Sequence, residues 1–247
     1  MSASPHLLLT RPRPQSERFA ESLRAELPGL RVTIAPLMAI VLDPPAPGAA
    51  EGIAGVIFTS ENGVAGFAAG CARRDLPVWC VGPRTARAAR EAGFAEVHEG
   101  GGDARALIAT LLDQRPEGPL LHARGSHAAA DISGALRDAG IGARDLVVYD
   151  QRAQPLPPEG AALLAGAGDV VVPVFSPRSA RLLAEHLPPD GNGARLHLIA
   201  ISAAAAQPLA GHDAIHAQHI VSAPDARAMH SMVAKVMRAL EAQDNPR

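Results

Sequence analysis

Between Gly55 and Ala72 the chain passes from an apolar run, Val56-Ile57-Phe58, through a polar turn, Thr59-Ser60-Glu61-Asn62, into apolar side chains at helical spacing, Val64, Phe67 and Ala68. A short unbroken apolar run bounded by turn residues is the pattern of a strand buried on both faces of a parallel sheet. Ser, Thr and Asn at a helix start accept hydrogen bonds from its free N–H groups. The stretch therefore predicts strand, tight turn and helix. Its turn gathers backbone N–H groups and two hydroxyls at one point, an arrangement that suits an anion.

The device recurs. Val170 to Phe175 leads into Ser176-Pro177-Arg178-Ser179. Val78-Trp79-Cys80-Val81 leads into Gly82-Pro83-Arg84-Thr85-Ala86, and Leu196 to Ile201 leads into Ser202 and four alanines, Ala203 to Ala206. Two similar halves are expected, each with two such units.

The remaining elements follow in order. His6–Leu9 reads as a strand, Ser16–Leu27 as a helix closed by Pro28-Gly29, and Arg31–Ala35 as a second strand. Pro36–Leu42 continues extended and meets a breaker at Asp43–Gly48. Strands at Val56–Phe58, Val78–Val81, Glu96–His98 and Leu120–His122 then alternate with helices at Asn62–Arg73, Thr85–Ala92, Ala104–Asp113 and Ala128–Ala139. Leu146–Tyr149 is extended and precedes a second breaker, Pro155, Pro157 and Pro158. Beyond it come helix Glu159–Ala165, strand Val170–Phe175, helix Ser179–His186, strand Leu196–Ile201, helix Ala204–Leu209, a short strand near Ile215 and helix Ala226–Leu240. Such alternation implies βαβ units and parallel sheets covered on both faces.

The two breakers suggest the layout. One α/β domain spans 43–144. Residues 152–247 supply too few strands alone, and residues 1–36 offer two more, so these segments form one discontinuous domain into which the other is inserted. The chain crosses between domains at 37–42 and 145–151. Open α/β sheets bind ligands beyond the C-terminal ends of their strands, and the candidate cleft lies there.

Charge changes the picture by exclusion. A net charge of −2 and 3% aromatic residues give no footprint for nucleic acid and no base-stacking surface. No apolar run reaches the length of a membrane span, and the first six residues lack the basic region of a secretory signal, so a cytoplasmic protein is expected. Cys71 and Cys80 make no disulfide framework. His212, His216 and His219 have only Asp213 as a nearby carboxylate and read as loop and edge strand, so no metal is expected. Gly100-Gly101-Gly102-Asp103 reads as a turn capping a helix, and no nucleotide-binding glycine motif occurs.

Thr10-Arg11-Pro12, Phe58-Thr59-Ser60-x-Asn62-Gly63-Val64, Val81-Gly82-x-x-Thr85-Ala86, Val148-Tyr149 and Phe175-Ser176-Pro177 stand in the order seen in uroporphyrinogen-III synthases. The chain resembles that family over nearly its whole length. The resemblance implies two parallel-sheet α/β domains, flavodoxin-like with helices on both faces, joined by a two-stranded linker. It also implies cyclisation of hydroxymethylbilane with inversion of the last pyrrole ring and loss of water, without a cofactor. The implied partners are the linear tetrapyrrole and, by hand-over, hydroxymethylbilane synthase, with a monomeric protein and neither nucleic acid nor membrane. Where the family carries a second Gly-x-x-Thr-Ala-like turn, this chain reads Ser202 and Ala203 to Ala206. That departure leaves open a non-catalytic tetrapyrrole- or small-anion-binding sensor on the same scaffold.

A substrate with many carboxylates needs local positive potential. Arg11, Arg84, Arg124 and Arg178 each follow a predicted strand, near a helix start, where guanidinium and free N–H groups act together. The candidate binding residues are Thr10, Arg11, Thr59, Ser60, Asn62, Gly82, Arg84, Thr85, Arg124, Gly125, Phe175, Ser176, Arg178 and Ser202. The hydroxyls and Asn62 serve equally as helix caps, and the arginines as solvated surface. Tyr149, the chain's one tyrosine, is the candidate proton donor, or else a residue packed on the linker. His122 and His127 flank Arg124-Gly125-Ser126, within reach of a carboxylate or simply packed at the strand end.

Overall fold

The computed structural model describes residues 4–128, 130–188 and 191–244. Its strands are β1 (His6–Leu9), β2 (Arg31–Ile34), β3 (Met38–Leu42), β4 (Gly55–Phe58), β5 (Val78–Cys80), β6 (Val97–Glu99), β7 (Leu120–Gly125), β8 (Ala143–Ala153), β9 (Asp169–Val174), β10 (Arg195–Ala200) and β11 (Ile215–Ile220). Its helices are α1 (Arg13–Arg24), α2 (Glu61–Gly70), α3 (Pro83–Glu91), α4 (Ala104–Gln114), α5 (Ile132–Asp138), α6 (Pro158–Ala165), α7 (Pro177–Ala184), α8 (Ala203–Ala206) and α9 (Ala226–Asp244). A 3-10 turn at Gln207–Leu209 extends α8. The chain divides into two compact units, with boundaries at Ala39/Ile40 and Arg152/Ala153.

The first unit holds a five-stranded sheet in the order β11-β10-β9-β1-β2. Every neighbouring pair is parallel. Numbered within the unit, this is 2-1-3-4-5, the flavodoxin order, with its switch point between β1 and β9. Strand alternation divides the side chains between two cores. Leu8, Val170, Val172 and Val174 pack with α6, α7 and α8 on one face. Leu7, Leu9 and Val171 pack on the other with Phe19 and Leu23 of α1 and with Met229, Val233, Val236, Met237 and Leu240 of α9. Those five are the apolar stripe that period 3.6 picks out of the last helix.

At the opposite end of this sheet from the polar turns, Asp169 staples β9 to β10. Arg195 holds its carboxylate with two hydrogen bonds, of 3.0 and 2.6 Å, and His197 Nε2 lies 2.8 Å from Oδ1. The Arg195 bonds, aided by His197 and opposed by burial, hold the Asp169 carboxyl below the usual range. The edge strand β11 carries His216 and His219. Among the described residues no group of three or more His, Cys, Asp or Glu side chains is placed to hold a metal.

The second unit holds a six-stranded sheet, β3-β8-β7-β4-β5-β6. Strands β4 to β8 are parallel to one another. Numbered among themselves they run 3-2-1-4-5, with the switch point between β4 and β7. The flavodoxin order thus holds for the first sheet, and the second takes the other doubly wound order. β3 adds to the β8 edge, forming the two-stranded ladder. Val56, Phe58, Val64 and Phe67 lie in one core with α2 and α3. Ile57, Leu107, Leu111, Ile132 and Leu136 lie in the other with α4 and α5.

Several element boundaries differ from the sequence pattern, for local reasons. α1 begins at Arg13 rather than Ser16, with Pro14 in its first turn, and Ser16 Oγ instead donates to the Arg11 carbonyl at 2.9 Å. Proline in a first turn lacks only an N–H that has no helical partner there. Pro83, Pro158 and Pro177 likewise open α3, α6 and α7. α5 begins at Ile132 rather than Ala128, because the Asp131 carboxylate accepts the Gly134 N–H at 2.7 Å and caps the helix there. Ala129, inside the predicted helix, lies outside the described residues. β8 extends well beyond Leu146–Tyr149 in both directions.

Candidate functional site

The chemistry of the second unit gathers around the C-terminal ends of β4 and β7 and the Tyr149 stretch of β8, at the sheet's switch point. A cleft of about 270 Å³ is lined there by Thr59, Ser60, Val81, His122, Arg124, Gly125, His127 and Tyr149, with Ala104, Ala128, Ala130 and Ile132 as apolar wall.

Each polar group is placed by a specific local feature. Ser60 caps α2, its Oγ accepting the Gly63 N–H at 3.0 Å. The same oxygen donates to the Tyr149 hydroxyl at 3.1 Å. With Ser60 donating, the Tyr149 oxygen is an acceptor in this bond and its own proton is free to face a ligand. Gly125 makes room for the ring. A Cβ there would lie 2.7 Å from Tyr149 Cζ, so a side chain at 125 displaces the phenol. The ladder shifts register between Arg124 and Gly125, and the Ser126 N–H still reaches the Tyr149 carbonyl at 3.0 Å.

Helix α2 sits low on the sheet because its inner face is glycine. A Cβ on Gly63 would stand 2.7 Å from the Ala123 carbonyl oxygen, and one on Gly66 would overlap the Val148 carbonyl oxygen. This close seat carries the Ser60 cap to Tyr149.

Behind the cleft runs a polar network. His122 pairs in register with Asp145 across β7 and β8. Its Nδ1 lies 3.2 Å from Asp145 Oδ1 and its Nε2 lies 3.3 Å from Thr59 Oγ1. Ser133 Oγ donates to Asp145 Oδ1 at 2.6 Å. Arg124 Nε is 2.9 Å from Asp145 Oδ2, an ion pair whose N–H is not aligned for a hydrogen bond. Burial pushes the Asp145 carboxyl up, but the Ser133 hydroxyl and the Arg124 guanidinium outweigh it and hold the group below the usual range. For His122 burial dominates and pushes the imidazole down, with Asp145 working against it.

Of the predicted residues, Thr59, Ser60, Arg124, Gly125 and Tyr149 therefore share one cleft. Asn62, Gly82, Arg84 and Thr85 do not line it. Asn62 is half-buried in the first turn of α2, and Gly82 caps α3. Thr85 is buried, and Arg84 Nε lies 3.4 Å from Glu61 Oε2. In the first unit, Arg11 and Phe175 follow β1 and β9 across that sheet's switch point. The Arg11 guanidinium carbon stands 4.1 Å from the Phe175 ring centroid, a cation–π contact. Thr10 is buried, its Oγ1 has no hydrogen-bond partner, and its carbonyl accepts the Leu37 N–H at 3.0 Å. Ser176 Oγ accepts the Ser179 N–H at 3.1 Å and caps α7, whose first turn contains Arg178. Ser202 Oγ accepts the Ala205 N–H at 3.2 Å, so the alanine-rich turn keeps a hydroxyl cap. Asp145 and Ser133 belong to this polar network, and sequence reasoning missed them. Their roles depend on the β7–β8 register, which no linear pattern encodes.

The family model described as uroporphyrinogen-III synthase HemD matches residues 17–230. Two solved structures share the fold. A uroporphyrinogen-III synthetase from Helicobacter pylori 26695 is 14% identical, with a TM-score of 0.66 over 94% of this chain and 99% of that one. A mutant uroporphyrinogen III synthase from the extremely thermophilic bacterium Thermus thermophilus is 19% identical, with a TM-score of 0.51 over 97% and 99%. No curated protein matches the chain at a significant level. Two parallel α/β sheets, a switch-point cleft holding the Ser60–Tyr149 pair, and a family match over most of the length converge on one statement: the chain belongs to the uroporphyrinogen-III synthase family.

Proposed function

We propose that Tyr149 is the proton donor with which this chain, a cyclising lyase of heme biosynthesis, closes hydroxymethylbilane to uroporphyrinogen III. The observation that supports the reading is the Ser60–Tyr149 hydrogen bond, in which the phenol oxygen accepts and its own proton is left available to a ligand in the cleft. A phenol donates without carrying charge at neutral pH. The proton passes to the departing hydroxyl of the substrate, which leaves as water and generates an azafulvene-type cation. The cationic carbon bonds the substituted α-carbon of the last pyrrole. The bond from that carbon to its neighbouring bridge then breaks, and the freed bridge carbon bonds the ring's other α-carbon, which inverts the ring and closes the macrocycle. The proton released when the inverted ring regains aromaticity restores the phenol. One positioned donor contributes roughly 10²–10⁴-fold, and holding the chain in the inverting conformation supplies much of the rest.

The carboxylate arms are bound by guanidinium groups and helix N-termini at both switch points. Arg124 and the α2 turn act in the second unit, and Arg11, Ser176 and Arg178 in the first. The protein works as a cytoplasmic monomer that receives its labile substrate from hydroxymethylbilane synthase. Among the described residues no helix is long and apolar enough to cross a membrane.

Replacing Arg11 and Arg178 together by glutamine tests the electrostatic part. Each charge-assisted contact is worth about 1.5–3 kcal/mol when well formed. Solvent exposure reduces this, and the double variant is expected to raise KM at least ~10-fold with little change in unfolding midpoint. Wild-type KM in the double variant would show both to be solvated surface.

A further inference from the structure

Thr59, His122 and Asp145 form a linear chain from the cleft into the sheet that the proton-donor role of Tyr149 does not use. The polarity of this chain follows from valence. Asp145 is paired with Arg124 and accepts from Ser133, which keeps it an anion able only to accept. His122 Nδ1 at 3.2 Å must therefore donate to it. The ring is 1% exposed, with Asp145 on β8, Arg124 on its own strand and Asp131 at the start of α5 as the charged groups around it. Burial favours the neutral ring, and a neutral ring with Nδ1–H has a lone pair at Nε2. The Thr59 hydroxyl, 3.3 Å away, then donates its only proton to His122.

The geometry points to His122 as a positioning residue that, oriented by Asp145, commits the Thr59 proton inward and leaves Thr59 Oγ1 as a hydrogen-bond acceptor in the cleft. This rests on the tetrapyrrole reading. It assigns the two cleft hydroxyls opposite duties. Tyr149, receiving a proton from Ser60, donates to the departing hydroxyl. Thr59, giving its proton away, accepts from a pyrrole N–H of the linear substrate. An acceptor at this place favours a pyrrole N–H beside Tyr149, and the carboxylate arms fall to Arg124 and the backbone N–H groups of the α2 turn.

The test has two arms. In the first, the full chain labelled with 15N-histidine is studied by NMR near neutral pH. The expected result is a neutral His122 with its proton on Nδ1. Asp145→Asn removes the anionic acceptor from Nδ1 and is expected to raise the population of the Nε2–H tautomer. Thr59→Val is expected to shift the Nε2 resonance by removing its donor. A wild-type ring protonated at Nε2, or charged, overturns the proposal, as does a tautomer unchanged in Asp145→Asn. If that variant does not fold, the wild-type tautomer and the Thr59→Val shift decide. In the second arm, Thr59→Val is expected to raise KM roughly five- to thirtyfold, the loss of one hydrogen bond, with a smaller effect on kcat. Thr59→Ser is expected to restore most of it. An unchanged KM in Thr59→Val overturns the acceptor role. If the wild-type protein forms no type III product, the tetrapyrrole reading fails, and the NMR arm still decides the polarity of the chain.

Discussion

Replacing Tyr149 by phenylalanine is expected to lower kcat about ten- to a thousandfold, within or just below the range for one positioned proton donor. The ring is buried over Gly125, and its hydroxyl receives the Ser60 proton at 3.1 Å. Phenylalanine keeps the ring, so the packing against Gly125 survives. Ser60 retains its cap on α2 through the Gly63 N–H at 3.0 Å. The unfolding midpoint is therefore expected to stay close to wild type. Loss of activity stops short of abolition because water can protonate the leaving hydroxyl. The product remains type III, since ring inversion comes from the shape of the site. Steady-state kinetics with freshly generated substrate, alongside thermal unfolding, checks both halves. A variant turning over at the wild-type rate would make Tyr149 a packing residue only.

Gly66→Ala is expected to destabilise the second unit although alanine is the better helix former. The substitution gains about 1 kcal/mol in intrinsic propensity. Its Cβ, however, would overlap the Val148 carbonyl oxygen, a backbone atom in the interior strand β8 that accepts the Asp43 N–H at 2.9 Å. Overpacking costs about 1–3 kcal/mol, and a backbone neighbour that cannot turn aside puts this site at the upper end. The net expectation is a loss of about 2 kcal/mol. Activity should fall with it, because lifting α2 draws Ser60 from Tyr149. Chemical denaturation measures the first effect and kcat the second. A stabilised variant would contradict the close seat of α2.

The fold is legible where burial writes itself into composition. Strands covered on both faces read as unbroken runs, as at Val56–Phe58 and Val170–Val174, and the buried stripe of α9 keeps a helical period. Proline is the ambiguous residue. The same side chain that ends an element also opens one, and Pro83, Pro158 and Pro177 open helices, which makes starts harder to read than existence. In the site, turns and family motifs single out Thr59, Ser60, Arg124, Gly125 and Tyr149, and the fold brings them to one cleft. Thr10 and Thr85 are buried, a fact that depends on what packs above a turn and not on the turn itself. The link from His122 to Asp145 needs the strand register, because 23 residues separate them along the chain.

The central claim is that this cleft closes a linear tetrapyrrole with inversion of its last ring. Its most direct test is to incubate the protein with freshly generated hydroxymethylbilane, oxidise the products and resolve the uroporphyrin isomers. The account predicts the type III isomer, formed faster than spontaneous closure. Only the type I isomer, at the rate seen without protein, would contradict it and leave the fold as a binding module.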